Sequence, residues 1–118
     1  MNGIVMLAHG SRDPQWVAPF EQIRAAVERR RPECAVVLAY LEHSTPDFVS
    51  AVDALVARGA TFIKVVPLFL GSGGHVRGDV PQLIERATIK HPNLKWDMKP
   101  FISDDRTVRE AIADYAAS

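Results

Sequence analysis

Two of the four histidines stand where chemistry is expected: His9, in Leu7-Ala8-His9-Gly10-Ser11-Arg12, and His75, closing Pro67-Leu68-Phe69-Leu70-Gly71-Ser72-Gly73-Gly74-His75. Each follows a short apolar run of the kind that forms a covered strand. An imidazole binds a borderline divalent metal such as Fe²⁺, Co²⁺, Ni²⁺ or Zn²⁺ through one nitrogen. A closed structural zinc site takes four ligands, often cysteines. This chain has a single cysteine, Cys34, which reads as a small core residue at the start of a strand. Two imidazoles with at most one carboxylate leave coordination positions open. Open positions suit a metal being passed on or a metal doing catalysis.

The carboxylate candidate is Glu42, in Tyr40-Leu41-Glu42-His43-Ser44-Thr45-Pro46. It can ligate metal or accept a proton, or it can simply cap or solvate a loop. His43 is expected to point away from Glu42 if strand geometry persists, since successive side chains then alternate. His91, between Lys90 and Pro92, fits a solvated helix end without a role. Gly71-Ser72-Gly73-Gly74 resembles an anion-cradling loop, but no Gly-Lys-Ser/Thr ending follows it, and a dinucleotide fingerprint belongs after the first strand, not the third. Its glycines let the backbone bend and let a flat ligand approach. Arg12 and Arg77 flank the two histidines. They can grip carboxylates in a bidentate way or remain solvated.

The elements that must position these residues alternate along the chain. Ile4 to Ala8 is an apolar run too short for a helix and reads as a strand covered on both faces; Ala35 to Leu41 is a second apolar run, and Phe62 to Leu70, interrupted only by Lys64 and Pro67, is the third and longest. Pro67 marks the end of regular pairing in the third. Leu94, Trp96 and Met98 alternate with Lys95, Asp97 and Lys99, the pattern of an edge strand. Helical spacing runs over 14–30 behind Asp13-Pro14, with Trp16, Phe20, Ile23 and Val27 on its stripe. It recurs over 46–58 with Thr45 as cap, after Asp79 with Pro81 in the first turn, and over about 104–116 with Val108, Ile112 and Tyr115 inward.

The order βαβαβαβα with right-handed crossovers predicts an α/β fold: a flavodoxin-like three-layer sandwich, with a four-stranded parallel sheet in the order 2-1-3-4 and helices on both faces. The switch point then falls between strands one and three, where such folds bind ligands. His9 and His75, far apart in sequence, become neighbours there, with Glu42 beside the His9 loop.

Composition narrows the classes. At 118 residues the chain is read as one domain, 1–118. Fourteen basic and fourteen acidic side chains cancel, so nothing electrostatic draws it to nucleic acid or an anionic membrane. No apolar run approaches a membrane span. With no signal-peptide pattern at the start and a lone cysteine, the expectation is a cytoplasmic protein.

The stretches Leu7-Ala8-His9-Gly10-Ser11-Arg12-Asp13-Pro14, Leu41-Glu42-x-x-x-Pro46 and Val66-Pro67-Leu68-Phe69-Leu70-x-x-Gly73-Gly74-His75-Val76-x-x-Asp79-Val80-Pro81 together resemble the short sirohydrochlorin chelatases. These are class II tetrapyrrole chelatases of the CbiX/SirB type, from siroheme and cobalamin synthesis. The resemblance implies insertion of Co²⁺ or Fe²⁺, the metal being a substrate, into sirohydrochlorin without ATP or organic cofactor, by a homodimer. It implies His9 and His75 as metal ligands and catalytic residues, with Glu42 as their acidic partner. Ser11, Arg12, Arg77 and the Gly73 and Gly74 amides are candidates to hold the acidic side chains of the macrocycle. Leu68, Phe69 or Leu70 could face its apolar plane or belong to the core. Around Glu42-His43-Ser44-Thr45 the chain is more polar than the family pattern. The rival readings are a chelatase for another metal such as Ni²⁺, a non-catalytic metal or tetrapyrrole carrier, and a phosphate binder using Gly71 to Gly74.

Overall fold

Strand β1 (Asn2–Ala8) is buried from Gly3 onward on both faces, because it lies in the middle of the sheet with helices above and below. Its run Gly3-Ile-Val-Met-Leu-Ala supplies no polar side chain to either face. β2 (Ala35–Tyr40) and β3 (Phe62–Pro67) flank β1 in parallel, and β4 (Lys95–Met98) pairs only with β3, giving the order β2-β1-β3-β4. The expected topology and the lysine-bearing edge strand are both present. The computed structural model describes residues 1–71 and 74–118, residues 74 and 75 by backbone only.

Alternation along the central strands divides the core into two layers. Val5, Leu7, Ala39, Ile63 and Val65 point toward α2 (Phe48–Ala57) and α3 (Gly74–Lys90), meeting Phe48, Val52, Leu55, Val80 and Ala87. Ile4, Met6, Ala8, Val36, Leu38 and Tyr40 point the other way, toward Val17, Phe20 and Val27 of α1 (Pro14–Arg30). α1 starts as expected: Asp13 accepts a hydrogen bond from Gln15 N at 2.9 Å, and Pro14 needs no donor there.

Three helix boundaries depart from expectation for local reasons. Thr45 does not cap α2. Tyr40 N donates to Pro46 O at 3.0 Å, so Pro46 is still tied to the end of β2, and Asp47 becomes the cap by accepting from Ser50 N at 2.8 Å. Asp79 does not cap α3, which already begins at Gly74, so Pro81 lies inside the helix and His75 belongs to its first turn rather than to a loop. α4 (Arg106–Ala117) starts two residues later than the spacing places it, behind Asp105, whose side chain caps it by accepting from Val108 N at 3.0 Å.

The inward face assigned to α4 is a larger correction. Ile112 is 44% and Tyr115 84% exposed, and no residue of the helix is buried. Among the described residues α4 packs chiefly against the 3₁₀ turn Ile102–Asp104 immediately before it. On α1, too, Trp16 and Ile23 are exposed although they share a stripe with half-buried Phe20 and Val27.

His91 is also not solvated. Its Nε2 lies 2.7 Å from Asp53 Oδ1, and Lys90 Nζ lies 2.6 Å from Asp53 Oδ2, pinning the end of α3 to α2. Both contacts hold the Asp53 carboxyl below the usual carboxylate range, the His91 hydrogen bond most strongly.

Candidate functional site

Beyond their regular ends the three apolar strands stay in register for one or two residues. Leu41 N donates to Ala8 O, and Glu42 N to His9 O, both at 3.0 Å. On the other side Leu68 N donates to Leu7 O at 2.8 Å. These bonds carry the sheet's pairing into the loops and set Glu42 directly beside His9 at the carboxyl edge. Gly10 is required by this arrangement. Its φ is +89°, and a Cβ there would meet the Glu42 carbonyl oxygen at 1.9 Å.

His9 is exposed at its rim, but its ring packs edge-on against Phe69, with centroids 4.8 Å apart. Phe69 itself is 1% exposed and tilts against Phe101, so it is the floor beneath His9 and not a surface for ligand. Of the three residues weighed for the macrocycle face, Leu70 is exposed and Leu68 half-buried. A cleft of about 290 Å³ joins His9 and Glu42 to Asp79, Gln82 and Arg86 on α3, with Leu41, Val76 and Leu83 as apolar walls. On its other side His9 borders a smaller hollow of about 160 Å³, where Trp16, Phe20, Tyr40 and Leu68 meet Gly10 and Ser11. Burial, reinforced by Glu21, pushes the Tyr40 phenol up, so it stays protonated.

The Glu42 carboxylate is accessible, and His43 Nε2 lies 3.7 Å from its Oε1. His43 therefore does not point away. Its φ of +66° breaks the strand alternation and turns the imidazole back toward Glu42. The loop is fixed by a reciprocal pair: Ser11 N donates to Ser44 Oγ at 3.1 Å, and Ser44 Oγ donates to Ser11 O at 2.8 Å. The Ser11 hydroxyl oxygen accepts from Asp13 N at 3.0 Å, which commits it to the turn before α1.

Arg77 was a candidate to hold ligand carboxylates. It is instead paired with Asp104 at 2.9 and 3.2 Å, and its guanidinium lies 4.7 Å from the centre of the Phe101 ring. The hydrogen bonds between the two side chains raise the Arg77 pKa and lower that of Asp104. Arg12 is exposed on the loop between His9 and α1. Gly73 and the side chain of His75 lie outside the described residues, as does the glycine loop's backbone at 72 and 73. Gly74 is the first residue of α3. Among the described residues no three His, Cys, Asp or Glu side chains converge on one metal position.

The reading from sequence missed the α3 wall. Asp79, Gln82, Leu83 and Arg86 follow the i, i+3, i+4, i+7 spacing of one helix face. The spacing is visible in the sequence, but Asp79-Val80-Pro81 looks like a helix start, which puts Asp79 at the edge of the helix rather than on its site-facing side.

The fold and site together define a class: an open α/β domain that presents an accessible histidine and a carboxylate in one cleft, at the carboxyl ends of its strands. Comparison with known proteins gives the class a family. The CbiX family model matches residues 3–118, and the chain belongs to the CbiX family. The sirohydrochlorin cobaltochelatase of Methanococcoides burtonii is 30% identical over 83 residues, which are 70% of this chain and 63% of that protein. The match thus spans less than two thirds of that relative's length. The crystal structure of the CbiX protein of Marinobacter aquaeolei VT8 superposes with a TM-score of 0.85 at 32% identity, covering 99% of this chain and 95% of that one. The sirohydrochlorin chelatase SirB of Bacillus subtilis subspecies spizizenii, solved in complex with cobalt, gives a TM-score of 0.78 at 26% identity, covering 98% of this chain and 50% of SirB.

Proposed function

We propose that this protein is a metal chelatase that inserts Co²⁺ or Fe²⁺ into sirohydrochlorin without ATP, for siroheme or cobalamin synthesis. The observation that carries the reading is the cleft in which His9 and Glu42 stand side by side at the switch point of a CbiX-family fold. His9 and His75 hold the incoming metal. A site of so few protein ligands binds weakly enough to release it. Two pyrrole N–H protons must leave the ring as the dication enters, so charge balances. Glu42 and His9 accept those protons, a carboxylate and an imidazole being able to do so near neutral pH. Arg12 meets acidic side chains of the macrocycle, and Leu70 with Trp16 offers apolar surface near its plane.

We infer further that residues 1–118 form one domain and that the protein acts as a cytoplasmic homodimer. One observation supports the homodimer: among the described residues α4 carries Ile112 and Tyr115 exposed, and none of its residues is buried. No helix among the described residues is long and apolar enough to cross a membrane.

The reading is tested by anaerobic absorbance of sirohydrochlorin mixed with Co²⁺ or Fe²⁺ and a catalytic amount of protein. Many turnovers above the spontaneous rate are expected. Stoichiometric binding without turnover overturns the enzyme reading in favour of a carrier.

A further inference from the structure

The acidic side chains of a reduced tetrapyrrole need cations at the site, and the structure removes one of the two arginines first offered for this. Arg77 already has a bidentate carboxylate partner in Asp104. The wall of the His9–Glu42 cleft carries a different arginine, Arg86, two turns along α3 from Asp79. Its side chain is exposed, and among the described residues it makes no hydrogen bond or ion pair. Helical side chains lean toward the helix N-terminus, which aims Arg86 back up α3 toward Gln82 and the cleft. The cleft's charged and titratable described groups are His9, Glu42, Asp79 and Arg86. Glu42 stands beside His9, and Arg86, farther along α3, is the permanent cation of the lining. An anionic ligand group entering this cleft is therefore repelled near Glu42 and attracted at Arg86.

We propose that Arg86 binds a peripheral carboxylate of the tetrapyrrole and, with the Gln82 amide beside it, sets the orientation of the macrocycle over His9 and Glu42. The inference rests on the chelatase reading. It assigns Arg86 a role in substrate binding and orientation, apart from the metal and the protons.

The test is a fluorescence titration of the metal-free protein with sirohydrochlorin, followed by steady-state insertion kinetics, for wild type, Arg86→Ala, Arg86→Lys and Arg77→Ala. Because Arg86 is exposed and, among the described residues, unpaired, the variants should melt with wild type. Arg86→Ala should raise both Kd and KM about tenfold, roughly 1.4 kcal/mol, and leave kcat within about twofold. Arg86→Lys should recover part of the loss, because it keeps charge but not the planar fork. The effect should shrink in high salt, and Arg77→Ala should bind like wild type. An Arg86→Ala protein that binds within twofold of wild type overturns the proposal, as does an Arg86→Lys protein no better than Arg86→Ala. If wild type itself neither binds nor metallates sirohydrochlorin, the chelatase reading fails first.

Discussion

Replacing Gly10 by alanine should damage the site through its backbone, and the structure sets the size of the effect. The new Cβ would stand 1.9 Å from the Glu42 carbonyl oxygen, 3.1 Å from its carbon and 3.2 Å from Tyr40 Cβ. Relief requires the Glu42 peptide to move by about 1 Å, because attractive contacts between heavy atoms begin only beyond ~3 Å. That movement breaks the 3.0 Å bond from Glu42 N to His9 O, which is the link setting the two side chains together. Strain of about 1–3 kcal/mol at φ +89° adds to about 1 kcal/mol for the hydrogen bond. A fall in Tm of about 10 °C follows for a domain of this size. A displacement of that order in a reacting group costs about 100-fold in rate. Gly59→Ala is the matched control: its φ is +98°, but nothing lies within 4 Å of the new Cβ. It should lose a few degrees of Tm and no activity. The assay is metal insertion measured well below both melting temperatures. If Gly10→Ala keeps kcat/KM within threefold of Gly59→Ala, the claim that this backbone contact positions Glu42 against His9 is wrong.

Two further outcomes follow from contacts outside the catalytic edge. Asp104→Ala frees Arg77 from its bidentate partner, and because Arg77 does not line the His9 cleft, KM for sirohydrochlorin should stay within about twofold; a tenfold change would return Arg77 to the site. Asp53 has its carboxyl held low by His91 and Lys90. Its contribution to stability is then fully present above the ordinary carboxylate pKa of about 4 and is lost as pH falls through the lowered folded value. Asp53→Asn should be less stable than wild type in urea at neutral pH and equal to it in strong acid. A gap that persists in strong acid would show that charge on Asp53 is not what matters.

Much of this molecule is readable from its residues, and the failures have physical causes. The apolar runs of β1 and β2, and that of β3 broken only by Lys64 and Pro67, are too short for helices, and the Lys95–Lys99 alternation marks an edge, so the sheet order followed. His9 and Glu42 came together because sheet pairing continues past Ala8 and Tyr40, as the topology requires. What sequence did not reveal depends on what surrounds a segment. An apolar stripe such as Val108, Ile112 and Tyr115 marks which face of a helix is apolar but not what covers it. Asp79-Val80-Pro81 has the composition of a helix start, yet the helix continues upstream through it to Gly74. His43 was misdirected because one residue at positive φ cancels strand alternation. Arg86 was overlooked because its charge looks like any solvated helix arginine until the cleft beside it is seen.

The central claim is that His9 and His75 together deliver a divalent metal to a tetrapyrrole. It is tested most directly by anaerobic multiple-turnover insertion of Co²⁺ into sirohydrochlorin by wild type, His9→Ala and His75→Ala, each verified as folded. The account predicts turnover by wild type and a rate indistinguishable from the spontaneous reaction for both variants. Wild-type rates in either variant would contradict it.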